Sequence, residues 1–292
     1  MLSEALIHDR ATQLLKQFYG YGTFRPLQLD IITCVMQGKD TLVLMPTGGG
    51  KSICYQLPAI MSDGCAIVVS PLIALMQDQV RGLISNGIPA ASINSMQTES
   101  DNRAIMEQVF AGRIKLLYIS PERLLAELPK WSQEMPISLI AIDEAHCISQ
   151  WGHDFRPEYT KLGTLKEHFP DIPIMALTAT ADKITRSDIA RQLNLSKDHQ
   201  MFVSTFDRPN IQLQVHPDPG KAQRISTISR LIATHPNDTG IVYCMTRKGA
   251  ETMHAELKKR GHKSAVYHAA LPTQERNKAQ QDFINGEIQV IC

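Results

Sequence analysis

Apolar residues along this chain gather into short, nearly unbroken runs set apart by longer segments with helical spacing. The runs cover residues 41–44, 65–69, 90–93, 114–119, 139–142, 174–177 and 201–203. Runs of this length, rich in Val, Ile and Leu and without polar alternation, suit strands covered on both faces. Helical patterns occupy residues 2–18, 53–60, 72–85, 101–111 and 181–193. The alternation predicts an α/β fold, with a parallel sheet, helices on both faces and right-handed crossovers. Ligands of such a sheet bind beyond the carboxyl ends of its strands.

A turn-rich stretch, Asp207-Arg208-Pro209-Asn210, interrupts the pattern. Beyond it, helices are predicted over 222–233, 248–260 and 273–285, and strands over 241–244, 264–267 and 288–292. Two domains are therefore expected: a complete one over 1–206 and a partial one over 207–292. Three strands make a small open sheet with unpaired edges. The basic run Lys258-Lys259-Arg260-Gly261 reads as a helix end, with Gly261 as its stop.

Composition narrows the classes. With 30 basic and 29 acidic residues among 292, the net charge is +1, so a nucleic-acid partner needs a local basic or aromatic surface. The six cysteines form no C-x-x-C pair and sit mostly in apolar runs, which predicts buried, reduced thiols. No secretory signal is evident, and no apolar run approaches the roughly 18 residues of a membrane span. A cytoplasmic location is expected in a bacterium, with nucleoid association, and a nuclear one in a eukaryote.

The chemistry begins after the run 41–44. Met45-Pro46-Thr47-Gly48-Gly49-Gly50-Lys51-Ser52 leads from a strand into a helix, the order of a P-loop. Glycines let backbone N–H groups turn toward phosphate oxygens, and the helix N-terminus adds positive charge there. Lys51 reaches the β- and γ-phosphates in such a loop, and the Ser52 hydroxyl binds Mg²⁺. Met45 departs from the strict pattern, which has glycine at that position. Downstream, the run 139–142 ends in Asp143-Glu144-Ala145-His146. A strand-terminal acid beside a P-loop holds Mg²⁺, and the adjacent Glu144 can orient the attacking water. No H-E-x-x-H or paired Cys/His spacing accompanies His146, which gives a zinc site little support. Upstream, Tyr21, Arg25 and Gln28 cluster in an aromatic segment able to stack on adenine and bond its edge.

Together these segments resemble motifs of superfamily-2 helicases. Motif I is similar to Pro46–Ser52, motif II to Asp143–His146 and motif III to Ala176-Leu177-Thr178-Ala179-Thr180-Ala181. Motif Ia resembles the stretch 70–79, and motif Ib resembles 118–124. More narrowly, Phe24-Arg25-Pro26-Leu27-Gln28, the aromatic loop Ser149-Gln150-Trp151-Gly152-His153-Asp154-Phe155-Arg156 and the stretch 204–211 look like the RecQ family.

That resemblance implies a RecA-like P-loop NTPase lobe followed by part of a second RecA-like lobe. It implies an ATP-dependent DNA helicase, with ATP and Mg²⁺ as cofactors, moving 3′→5′ on single-stranded or partially duplex DNA in recombination and repair. Catalysis falls to Lys51, Asp143 and Glu144. Nucleotide binding falls to Tyr21, Arg25, Gln28, Thr47, Gly48, Gly49, Gly50, Lys51 and Ser52, with Ser52 and Asp143 on Mg²⁺. Trp151, His153, Phe155 and Arg156 couple DNA to hydrolysis, unpaired bases stacking on the aromatic rings. Arg208 is expected as an inter-lobe contact. The family's motifs V and VI do not appear, so a fragment is expected, and a missing arginine finger lowers turnover by about 10³–10⁵. The alternatives are an ATP- or single-stranded-DNA-binding remnant without motor activity and, with less support, a P-loop phosphotransferase.

Overall fold

The computed structural model describes residues 3–94, 97–151, 154–205, 210–217 and 220–292, with 132 and 133 by backbone alone. Contacts divide the chain into two units, Met1–Arg208 and Pro209–Cys292. The division expected after residue 206 falls at residues outside those described.

The first unit is built on seven parallel strands: β1 (Thr41–Leu44), β2 (Cys65–Val69), β3 (Ala90–Ile93), β4 (Leu116–Ile119), β5 (Ile137–Ile142), β6 (Ile174–Thr178) and β7 (Gln200–Val203). Their order is β3-β4-β2-β5-β6-β1-β7. Among the described residues nine α-helices accompany them: α1 (Glu4–Tyr19), α2 (Gln28–Met36), α3 (Lys51–Met61), α4 (Ile73–Ser85), α5 (Glu99–Phe110), α6 (Pro121–Glu134), α7 (Pro157–Thr160), α8 (Leu165–His168) and α9 (Lys183–Gln192).

Successive strand residues point to opposite faces, and both faces are apolar. Val43, Val68, Tyr118 and Ala141 pack toward Ile31 of α2, Tyr55 of α3 and Met76 of α4. Leu42, Ile67, Leu117 and Ile140 pack with Val109 of α5, Leu128 and Trp131 of α6 and Ile189 of α9. The expected sheet covered on both faces is what the chain forms. At its amino edge, the buried Asp40 accepts from the Ile174 N–H at 2.8 Å and the Ser196 N–H at 2.8 Å. Lys166 Nζ lies 2.8 Å from the same carboxylate. One charge thus ties the start of β1 to α8, to the start of β6 and to the loop before β7.

The second unit holds β8 (Gly240–Ile241), β9 (Ser264–Ala265) and β10 (Val290–Ile291), parallel in the order β8-β10-β9. Around them lie α10 (Lys221–Thr234), α11 (Arg247–Lys259) and α12 (Thr273–Ile284). The strands are shorter than predicted, yet ladder bonds continue past them, from Val242 N–H to Ile291 O at 2.8 Å and from Tyr267 N–H to Cys292 O at 2.8 Å. No disulfide joins the six cysteines, five of which are buried.

Candidate functional site

β5, β6 and β1 are neighbours, and their carboxyl ends meet at one edge. β1 runs straight into the glycine loop. Met45, where the strict P-loop pattern has glycine, is a core residue, 2% exposed. Its N–H donates to the Thr178 carbonyl at 3.2 Å, which fixes the loop to β6. The loop then turns, with the Gly49 N–H donating to the Pro46 carbonyl at 2.9 Å. Gly50 has φ +87°, and a Cβ there would lie 2.3 Å from Gln28 Nε2. The positive φ favours glycine here, and a Cβ would also push the Gln28 side-chain amide off the Gly50 carbonyl. Lys51 opens α3, and its Nζ donates to the Met45 carbonyl at 3.0 Å.

The aromatic segment upstream grips this loop. The Arg25 N–H donates to Gln28 Oε1 at 2.8 Å, and Gln28 Nε2 donates to the Gly50 carbonyl at 3.1 Å. The Arg25 guanidinium donates to the Gly48 carbonyl. Gln28 is buried, whereas the Tyr21 ring is 55% exposed. A cavity of about 580 Å³ gathers Tyr21, Arg25 and Gln28 with Thr47, Gly48, Gly50, Lys51, Ser52, Asp143 and Glu144. Gly49 shapes the loop by its turn. Thr23, Phe24, Leu75 and Gln79 also line the cavity, although the motifs that contain or adjoin them assign none of the four to nucleotide binding. Leu75 and Gln79 are one helical turn apart on α4, but the pattern alone does not say that α4 packs beside α3.

At the end of β5, the Asp143 N–H donates to the Val69 carbonyl at 2.8 Å, and the Tyr159 hydroxyl donates to the Asp143 carbonyl at 3.2 Å. Burial, and then the neighbouring Glu144, push the Asp143 carboxyl up to about 6. Glu144 has φ +49°, a left-handed backbone that few side-chain-bearing residues adopt. Its N–H donates to Asp143 Oδ1 at 3.0 Å. His146 Nδ1 lies 3.0 Å from Thr178 Oγ1 and 3.3 Å from Glu144 Oε2. The Thr178 hydroxyl in turn donates to the Thr180 carbonyl at 3.2 Å. A buried polar line thus runs from the acidic pair to the end of β6.

The aromatic loop starts from the same turn. Trp151 is 74% exposed, so it is not a core residue; the buried tryptophan is Trp131. Phe155 and Arg156 are half-buried. Arg156 donates to the Pro71 carbonyl at 3.0 Å and pairs with Asp154 at 3.2 Å, which joins the loop to the turn after β2. His153 and Arg208 lie outside the described residues.

Residues 25–188 match the family model described as DEAD/DEAH box helicase, and residues 223–292 match the helicase conserved C-terminal domain. The ATP-dependent DNA helicase RecQ of Haemophilus influenzae is 44% identical over 295 residues, covering 100% of this chain and 46% of that protein. The RecQ-like DNA helicase BLM of Xenopus laevis is 41% identical over 283 residues, covering 94% of this chain and 21% of that protein. The chain thus spans about half the length, or less, of these curated relatives. A solved structure of a Dbp5 variant of S. cerevisiae, bound to a Gle1 variant and IP6, superposes with a TM-score of 0.73 at 18% identity. That match covers 96% of this chain and 71% of the other, and it shows the shared fold.

Proposed function

The chain belongs to the DEAD/DEAH box helicases and, within them, to the RecQ family, and from that premise we propose that it couples ATP hydrolysis to movement along DNA. The observation that carries this reading is the single cavity that joins Tyr21, Arg25 and Gln28 to the glycine loop and to Asp143 and Glu144. Its two ends suit the two ends of ATP: an aromatic ring with an amide, and a glycine cradle with a lysine.

The residues present fit a triphosphate with a divalent cation. Gly50 leaves backbone where any side chain would collide with Gln28. A half-buried carboxylate pair beside Lys51 supplies hard oxygen ligands, and a divalent ion offsets the repulsion between them. Ser52 and Asp143 hold that ion, which neutralises charge on the phosphates when bound. Lys51 leaves the Met45 carbonyl for phosphate oxygens. Tyr21 stacks on adenine, and Arg25 and Gln28 fix its edge and the loop beneath it. Glu144 holds the attacking water, whose oxygen bonds to the γ-phosphorus as the bond to the bridging oxygen breaks. His146 keeps the Glu144 carboxylate oriented against Thr178.

On the DNA side, Trp151 and Phe155 stack on unpaired bases, and Arg156 and His153 contact the strand. Because this loop follows directly on Glu144, strand occupancy reaches the water-holding carboxylate. Arg208 links the two lobes. Movement is 3′→5′ on single-stranded or partially duplex DNA, in recombination and repair, at the nucleoid or in the nucleus.

The test is phosphate release by the chain with ATP and Mg²⁺, with and without single-stranded DNA. DNA stimulation that disappears in Glu144→Gln and on chelation of Mg²⁺ supports the reading. Tight ATP binding without turnover in the presence of DNA would instead make the chain a binding module. Strand displacement from duplexes with a 3′ or a 5′ tail decides the polarity.

A further inference from the structure

Just behind the acidic pair, outside the nucleotide cavity, His146, Cys147 and Asp154 bring three metal-binding atoms within 4.8 Å of one another. Cys147 Sγ lies 3.8 Å from His146 Nε2 and 3.8 Å from Asp154 Oδ2. We propose that these three residues form a site for a borderline-soft divalent cation of the zinc type, which fastens the aromatic loop to the turn that follows Glu144.

The backbone creates the juxtaposition. The turn Ala145–Ile148 is a 3₁₀ helix, closed by the Cys147 N–H donating to the Glu144 carbonyl at 2.9 Å. The chain then loops out and returns, and the Arg156 N–H donates to the Cys147 carbonyl at 2.8 Å. That bond brings Asp154 back over the thiol. Sequence spacing gives no hint of it, because the ligand at 154 arrives through a loop rather than a helical repeat.

The imidazole is prepared as a ligand. In the tautomer with its proton on Nδ1, His146 donates at 3.0 Å to the Thr178 hydroxyl oxygen, while that hydroxyl donates to the Thr180 carbonyl at 3.2 Å. Nε2 then carries the lone pair, and it faces Cys147. Glu144 Oε2, 3.3 Å from Nδ1, adds the carboxylate–histidine arrangement found behind metal-bound imidazoles. With zinc bonds of about 2.3 Å to sulfur and about 2.0–2.1 Å to nitrogen, a tetrahedron has an S–N edge of about 3.6 Å. The observed 3.8 Å needs little adjustment.

On binding, the Cys147 S–H bond breaks, its proton leaves to solvent, and the thiolate bonds the cation. The thiolate and the Asp154 carboxylate together balance a divalent charge. Among the described residues, Glu144 and Arg156 are the other charged groups facing the site, and they offset each other. Arg156 gives up Asp154 and keeps the Pro71 carbonyl. Asp154 is exposed, which provides the entry path and leaves a fourth position for water. Sulfur and imidazole ligands select against Mg²⁺, so the ion of hydrolysis does not compete here. A consequence resting on the proposed motor function is that zinc suppresses DNA-stimulated hydrolysis more than basal hydrolysis, since the loop bearing Trp151 is then pinned.

The test is titration of the full chain with Zn²⁺ by calorimetry and with Cd²⁺ by thiolate-to-metal absorption, in wild type, Cys147→Ser and Asp154→Asn. One equivalent present in wild type should weaken by at least about tenfold in both variants. Asp154 is at the surface, so its variant should melt as wild type does and serves if Cys147→Ser fails to fold. Equal binding by wild type and Asp154→Asn, or cadmium absorption that survives Cys147→Ser, overturns the site. Loss of DNA-stimulated hydrolysis in metal-stripped, Mg²⁺-supplied wild type would count against the motor reading and leave the zinc site standing.

Discussion

Glu144 sits between the nucleotide cavity and the His146–Thr178 pair. Its left-handed backbone turns the chain between β5 and the 3₁₀ turn, so that Asp143 and Glu144 both line the cavity although successive strand residues point apart. Glu144→Gln keeps the shape and loses the charge. It should retain ATP affinity while turnover falls about 10²–10⁴-fold, the range for a positioned acid or base. Equal loss of binding and turnover would show that the carboxylate grips nucleotide instead. Gly50 poses the converse case, where backbone is the function. Gly50→Ala combines a φ of +87° with a Cβ 2.3 Å from Gln28 Nε2. It should destabilise the fold by about 1–3 kcal/mol and remove nucleotide binding, as read from thermal unfolding and from fluorescent-ATP titration.

At the scale of elements, six strands of the first sheet, β1 to β6, are legible because they lie buried between two layers of helices and read as apolar runs, whereas the edge strand β7 is largely exposed and shows only the short run 201–203. Helices α4, α5 and α9 are legible because one side of each stays wet. The apolar pattern predicts neither α2 nor α6, for two different reasons. In α2 six of nine residues are buried, so no 3.6-residue stripe shows, and its N-cap Leu27 supplies no side-chain cap. In α6 Pro129 breaks the expected helical sequence, although Ser120 caps the start. The P-loop and the acidic pair are local strings and were readable; Leu75, Gln79 and the His146–Thr178 bond depend on strand order, which no local string encodes. Asp40 belongs to this class, being an isolated acid whose partners lie 126 to 156 residues away. Asp40→Leu would leave Lys166 with the Ile172 carbonyl alone and deprive the Ile174 and Ser196 N–H groups of their acceptor. It should cost about 3–5 kcal/mol in urea unfolding, against a smaller loss for Asp40→Asn.

For the whole molecule, a net charge of +1 means that no general positive field draws DNA in. Affinity must come from local contacts, and the surface offers two kinds: exposed rings and a few tethered cations. Trp151 is the clearest of the first kind: its backbone N–H donates to Ser149 Oγ at 3.2 Å, while the residue is 74% exposed and its indole gains nothing from the core. Stacking contributes about 1–3 kcal/mol per base, or roughly 5–150-fold in affinity. It releases no counterions, whereas a lost phosphate contact lowers the salt slope of log K by about 0.7 on a single strand. Trp151→Ala should therefore weaken single-stranded DNA binding within that range while the slope against log salt and the basal ATPase stay as in wild type. Arg156→Ala should flatten the slope as well, because it removes a cation and frees the loop from Pro71. A slope that falls in Trp151→Ala would mean that the ring acts by holding phosphate contacts in place, and stacking would no longer account for the loop.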